Sequence, residues 1–148
     1  MNLGTCEDLW IDIKQGADKK SGEKGSNFVV GVVYRHPTQN YTKFCDKLCK
    51  TLNILNKNKT DYMIVGDFNV DILKYSLATN ITKYVNSLNS VGCKLFIDKA
   101  TRVTKTSATC IDHVYSNQPA DNIESSILLT DASDHFSTIT ELRGFHSN

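Results

Sequence analysis

Two rhythms of apolar and polar positions run through this chain, and the change between them outlines its elements. Leu9-Trp10-Ile11-Asp12-Ile13 reads as a first strand, and the polar, glycine-bearing run from Lys14 to Asn27 as a loop between strands. Phe28-Val29-Val30-Gly31-Val32-Val33-Tyr34 is nearly continuous in apolar residues and rich in β-branched ones, which suits a strand buried on both faces. Arg35-His36-Pro37 ends it, because proline has no N–H to give to a ladder. From Asn40 to Asn56 the period lengthens. Phe44, Leu48, Leu52 and Leu55 fall on one helical face with lysines on the other, and Asn40 is placed to cap the start. After a turn over 57–61, Tyr62-Met63-Ile64-Val65 reads as a buried strand running into Gly66-Asp67-Phe68-Asn69. A second helix is expected from Ile81 to Val91, capped by Asn80 and ended by Gly92. Beyond it come a short strand over 93–97, a basic and hydroxyl-rich loop over 99–109, a strand over 110–116, and two further strands over 123–130 and 136–142. These strands and two helices in mixed order predict an α/β or α+β domain rather than a strict βαβ series.

At 148 residues the chain fits one domain with a real core. Apolar and charged fractions are those of an ordinary globular protein, and the net charge of +1 argues against a strongly basic nucleic-acid coat while leaving room for a local basic patch. The five cysteines are odd in number and contain no C-x-x-C pair, which speaks against a zinc site or a disulfide framework. Cys45 and Cys49, one helical turn apart, read as packing residues of a reducing compartment. No basic-then-apolar leader opens the chain and no apolar run is long enough to span a bilayer, so the sequence predicts an intracellular, non-membrane protein with no disulfide-linked partner.

The chemistry lies at the strand ends. A carboxylate and an amide at the mouth of a buried strand are costly to place there for packing alone. Asp67 could orient or deprotonate a water, and Asn69 could hold a phosphate or nucleophile without adding charge; an Asx-turn is the bland alternative. Asp134 could ligate a hard cation such as Mg2+, and His135 could act as acid/base or phosphate-binding group with a carboxylate behind it, although the pair could also be a polar turn. Asp112, an acid inside a β run, is the candidate for that carboxylate. His113 should point to the opposite face. Tyr34 and Arg35 could reach a phosphate, or Tyr34 could be a core-edge aromatic. Lys99, Arg102 and Lys105 could touch a nucleic-acid backbone or simply be solvated.

Gly66-Asp67-Phe68-Asn69, Ile111-Asp112-His113 and Ser133-Asp134-His135, in that order, resemble the endonuclease/exonuclease/phosphatase superfamily. The finer resemblance is to the endonuclease domain of non-LTR retrotransposon (reverse transcriptase) polyproteins, through Val32 to Pro37, Asp67 to Asp71, and Thr101-Arg102 followed by Thr109 to His113. It covers the chain from about Leu9 to Leu142. The resemblance implies a four-layer α/β sandwich of two packed sheets flanked by helices. It also implies Mg2+- (or Mn2+-) dependent nicking of DNA and a nuclear location. By position it gives Asp67 and Asn69 as the water-activating and phosphate-orienting pair, Asp134 as the metal-side acid, His135 as the catalytic histidine, Asp112 as the acid that orients it and Tyr34 as the active-site tyrosine, with Arg35 and Arg102 on the substrate side. The family's fold begins with strands bearing an asparagine and a metal-binding glutamate. Residues 1–148 are therefore expected to be the C-terminal portion of such a domain, with an edge and an apolar face of a sheet left uncovered. Two other readings accompany this one: a non-catalytic remnant that at most binds nucleic acid or a partner, and a phosphatase of the same fold acting on a small phosphorylated substrate.

Overall fold

β-branched and aromatic runs build a mixed main sheet, and the computed structural model describes it over residues 1–14 and 27–143. The loop expected between Lys14 and Asn27 falls outside the described residues, apart from its two ends. Strand β1 (Glu7–Lys14) runs antiparallel to β2 (Asn27–Tyr34), and β2 runs parallel to β3 (Asp61–Asp67). Helix α1 (Tyr41–Lys57) makes the crossover between β2 and β3 that a parallel pair requires. After helix α2 (Thr79–Ser90), the two-residue strand β4 (Lys94–Leu95) and β7 (Asp112–Ser116) complete a five-stranded sheet of order β1-β2-β3-β7-β4. Between β4 and β7 lies a small hairpin, β5 (Arg102–Val103) with β6 (Ala108–Thr109), and a second hairpin, β8 (Ile123–Leu128) with β9 (Ser137–Leu142), closes the chain. The architecture is α+β with a mixed sheet, as the sequence predicts.

Both helices lie on one face of this sheet. Phe44, Leu48, Leu52 and Leu55 of α1 are buried against Val29, Val33, Tyr62 and Ile64, and each large apolar side chain removed from water contributes about 2 kcal/mol. Asn40 caps α1 as expected, its Oδ1 accepting from the Lys43 N–H at 3.0 Å. The start of α2 differs from expectation. Ala78 occupies the N-cap without a side-chain bond, and Asn80 lies inside the first turn. Gly92 does end that helix. At φ +73° it sends its N–H to the Asn89 carbonyl and lets the Cys93 N–H reach Leu88, a paired closure that a left-handed residue makes possible. The strand expected over 93–97 shortens to two residues, and the loop expected over 99–109 contains the β5–β6 hairpin, closed by a bond from the Thr104 N–H to the Ser107 carbonyl at 2.8 Å.

The opposite face of the sheet is partly open. Leu9, Ile11 and Ile13 on β1 and Val32 on β2 are exposed, while Val114 on β7 is buried and Ile127 of the second hairpin packs against the core. No helix among the described residues is long and apolar enough to cross a membrane.

Candidate active site

Asp67 closes β3 in register with Tyr34 on β2 and with Asp112 on β7. Residues paired across neighbouring strands share a face of the sheet, so Tyr34, Asp67 and Asp112 stand in one row on the face away from the helices. Glu7 pairs with Tyr34 and extends the row, two strands from Asp67. The close approach of β3 to β2 at this point depends on Gly66. Its φ is +138°, and a Cβ there would lie 1.9 Å from the Val33 carbonyl oxygen, so no other residue fits.

Past Asp67 the chain turns sharply. The Phe68 N–H bonds the Ile111 carbonyl at 2.8 Å, and Asn69 adopts a left-handed φ of +50°. Its N–H donates to Asp67 Oδ1 at 2.9 Å, the Asx-turn bond, and its Nδ2 donates to the Arg35 carbonyl at 2.9 Å. The turn and the functional reading thus coexist, since that bond fixes the Asp67 carboxylate. Arg35 needs a correction. Expected on the substrate side, it is 3 % exposed, and its guanidinium donates to the backbone carbonyls of Phe68, Asn69, His36 and Gln39. A guanidinium bound to four carbonyls braces the turn from within and has little left to offer a phosphate.

Asp112 and His135 meet as the sequence predicts. His135 Nδ1 lies 3.1 Å from Asp112 Oδ2 and 3.3 Å from Oδ1, which leaves Nε2 as the nitrogen available for chemistry. Thr101 holds this carboxylate from behind. Its buried hydroxyl donates to Asp112 Oδ2 at 2.7 Å and accepts from the N–H groups of Ile111 and Asp112. In the sequence Thr101 stands in the hydroxyl-rich loop and in the Thr101-Arg102 stretch of the resemblance, with no role of its own. Nothing in a run of threonines marks which one is buried. The 133–136 segment that carries His135 is stitched to the β5–β6 hairpin by the Val103 N–H on the Asp134 carbonyl and the Phe136 N–H on the Thr101 carbonyl. Within the segment, the His135 N–H donates to Ser133 Oγ.

Ligand atoms of Asp67, Asp112 and His135 all lie within 4.8 Å of one another. Burial raises the Asp67 pKa, the Asn69 N–H opposes that, and the neighbouring Asp112 charge raises it further. Asp134 is not drawn into this cluster. It is exposed and paired with Arg102, Nε to Oδ2 at 2.7 Å, and that hydrogen bond lowers its pKa. His113 points to the other face, as alternation requires. It is buried, stacked on Phe68 with ring centroids 4.9 Å apart, and burial pushes its pKa down to about 4.

No protein-family model and no curated protein sequence matches the chain. Solved structures do. The endonuclease domain of TRAS1, a telomere-specific non-LTR retrotransposon, superposes with a TM-score of 0.68 at 10% identity, over 95% of this chain and 70% of that one. The 3'-5' exonuclease NExo from Neisseria meningitidis gives 0.60 at 13% identity, over 93% and 79%. The chain has the endonuclease/exonuclease/phosphatase fold. The human Nocturnin catalytic domain, solved with bound sulfate, shares this fold with a TM-score of 0.53 at 17% identity, and the chain spans 52% of its length. Within the endonuclease/exonuclease/phosphatase fold, the row at the ends of β2, β3 and β7 and the loop bearing His135 are the parts with chemistry to offer.

Proposed function

We propose that the chain is the DNA-nicking part of a non-LTR retrotransposon endonuclease, hydrolysing phosphodiesters with Mg2+ (or Mn2+). The observation that carries the reading is the convergence of Asp67, Asp112 and His135 within 4.8 Å, on a fold shared with the TRAS1 endonuclease domain. Asp112, fixed by Thr101 and by its own strand, holds His135 at Nδ1, so that the imidazole presents Nε2 to a phosphoryl oxygen. Asp67, with its pKa raised by burial, is suited to take a proton from an attacking water, and Asn69 keeps its carboxylate oriented. Tyr34, on the same row, and Arg102, beside the histidine loop, are the side chains we propose for contact with the phosphate backbone. The donor chemistry suits a hard cation, since two carboxylates stand together beside an imidazole, with Asp134 exposed on the adjoining loop. Such a cation, when bound, neutralises charge on the phosphoryl oxygens. The metal-binding glutamate implied by the resemblance is not assigned to any residue of the chain. A nuclear location follows from the proposed role.

The test is nicking of supercoiled plasmid in the presence of Mg2+. Conversion to open circles that is lost on adding a chelator, and that falls by a factor on the order of 10² or more in His135→Ala and Asp134→Ala, is expected. Full nicking by either variant overturns the assignment of that residue, and an unnicked plasmid with the unsubstituted chain overturns the catalytic reading.

A further inference from the structure

The chain is nearly neutral as a whole, but its charge is unevenly spread. Between Tyr41 and Lys59 stand five of its 17 lysines and arginines (Lys43, Lys47, Lys50, Lys57 and Lys59) and one of its 16 acids, Asp46. That segment therefore carries +4 and the rest of the chain −3. Lys43, Lys47, Lys50 and Lys57 follow at spacings of four, three and seven residues, so they form one stripe along α1. The stripe lies away from the buried face of Phe44, Leu48, Leu52 and Leu55. All five lysines are exposed, and among the described residues none is in an ion pair, not even with Asp46, one turn from Lys50.

A merely solvated helix face does not call for this pattern. Lys57 and Lys59 stand at the C-terminal end, where the helix dipole favours cations. Lys43 is the third residue of α1, at the end the dipole makes positive, and no acid stands in that first turn. Lys43 and Lys47, then Lys47 and Lys50, are like charges at helical contact spacing, which repel. The helix is charged against its own stability, and a polyanion laid along it removes the repulsion. The stripe also starts beside the site. Arg35 donates both to the Phe68 carbonyl in the site turn and to the carbonyl of Gln39, next to the Asn40 cap of α1. From Lys43 to Lys57 it runs about 21 Å along the helix axis, the length of roughly six base pairs of duplex. We infer that the lysine stripe of α1 holds duplex DNA by its phosphates, at a surface separate from the row of Tyr34, Asp67 and Asp112. An anionic membrane is a poorer match, because the apolar face of α1 that would enter it is already buried in the core. The choice of DNA rests on the proposed function, whereas the charge argument does not.

Fluorescence anisotropy of a labelled duplex tests it, with the full chain titrated in EDTA at salt from about 50 to 200 mM. Log affinity is expected to fall against log salt with a slope of about −3 or steeper. Lys47→Gln with Lys50→Gln should flatten that slope by about 2 and weaken binding at least about tenfold at the middle of the salt range. Lys47→Arg with Lys50→Arg should keep both at the values of the unsubstituted chain. Lys83→Gln with Lys94→Gln removes the same charge from exposed lysines off the stripe, and should leave the slope unchanged. Circular dichroism should be the same in all of these variants. A stripe pair without effect, or an off-stripe pair that flattens the slope as much, overturns the assignment to α1. No binding to the duplex, or binding to phosphatidylserine vesicles in its place, overturns the partner. No cleavage is measured in EDTA, so a failure to nick plasmid and a failure of this stripe are separate results.

Discussion

Asp112 and His113 are neighbours on one strand, yet they face two different solvents. On the helix side, His113 is enclosed by Phe68, Tyr84 and Tyr115, its Nε2 near the carbonyls of Val70 and Cys110, and it is held neutral. On the other side, Asp112 is held by a threonine hydroxyl and a histidine and stands beside a second carboxylate. The helix side excludes charge to pack tightly, whereas the open side gathers charge and keeps it by hydrogen bonding. A strand's two-residue period is enough to separate these two chemistries by a single peptide unit.

The comparison breaks most completely at the glycine both faces depend on. Gly66→Ala forces a Cβ into the Val33 carbonyl at a φ that only glycine adopts readily, and should cost about 4 kcal/mol or more, read as loss of the cooperative urea transition. Next in size is the pH response of the packed face. His113 has a folded pKa of about 4 against an ordinary value of 6.5. Below pH 6.5 the unfolded chain gains a proton that the folded chain refuses. Stability should therefore fall by about 3 kcal/mol as pH drops from 6.5 to 4, and then level off as far as this residue is concerned. His113→Phe should flatten that part of the curve in urea titrations taken at several pH values. On the charged face, Thr101→Val strands two buried N–H groups and one carboxylate oxygen, and a loss of about 1–3 kcal/mol is expected in urea unfolding. The smallest effect has the opposite sign. The fold disfavours ionised Asp67, a cost that is present above its raised pKa and absent once pH falls below the ordinary 3.8. Asp67→Asn should raise the Tm by roughly 2 °C near neutral pH without metal, and the gain should vanish at pH 3.5.

What could be read from the sequence was whatever periodicity or alternation controls. The α1 stripe of Phe44, Leu48, Leu52 and Leu55 and the opposite orientations of Asp112 and His113 follow from repeat lengths, and the cap at Asn40 from the side-chain oxygen of an asparagine at the helix start. Asp67 was legible because an acid at the end of a buried strand demands a reason. What escaped depends on where distant backbone arrives. Arg35 looks the same in sequence whether it reaches solvent or turns inward, and only the left-handed turn at Asn69 brings the carbonyls of Phe68 and Asn69 to it. Thr101 is silent for the same reason: its burial is made by β7 and the 133–136 segment, at remote positions in the chain. The cap at Asn80 failed by two residues, because the chain entering α2 from the turn at 72–78 already makes its first helical bonds to the Ala78 carbonyl, from the N–H groups of Ile81 and Thr82.

The histidine loop and the β5–β6 hairpin share their backbone bonds, Val103 to Asp134 and Phe136 to Thr101, with Arg102 opposite His135 in a further bridge. The row of Tyr34, Asp67 and Asp112 is instead built into the main sheet. The site is thus split between a bed in the main sheet and a flap made of the histidine loop and the hairpin. If the flap lifts as one body, the amide hydrogens of Val103 and Phe136 should exchange with deuterium at matching rates, faster than those of β3. Their common rate would count how often the acid–base half of the site leaves its place.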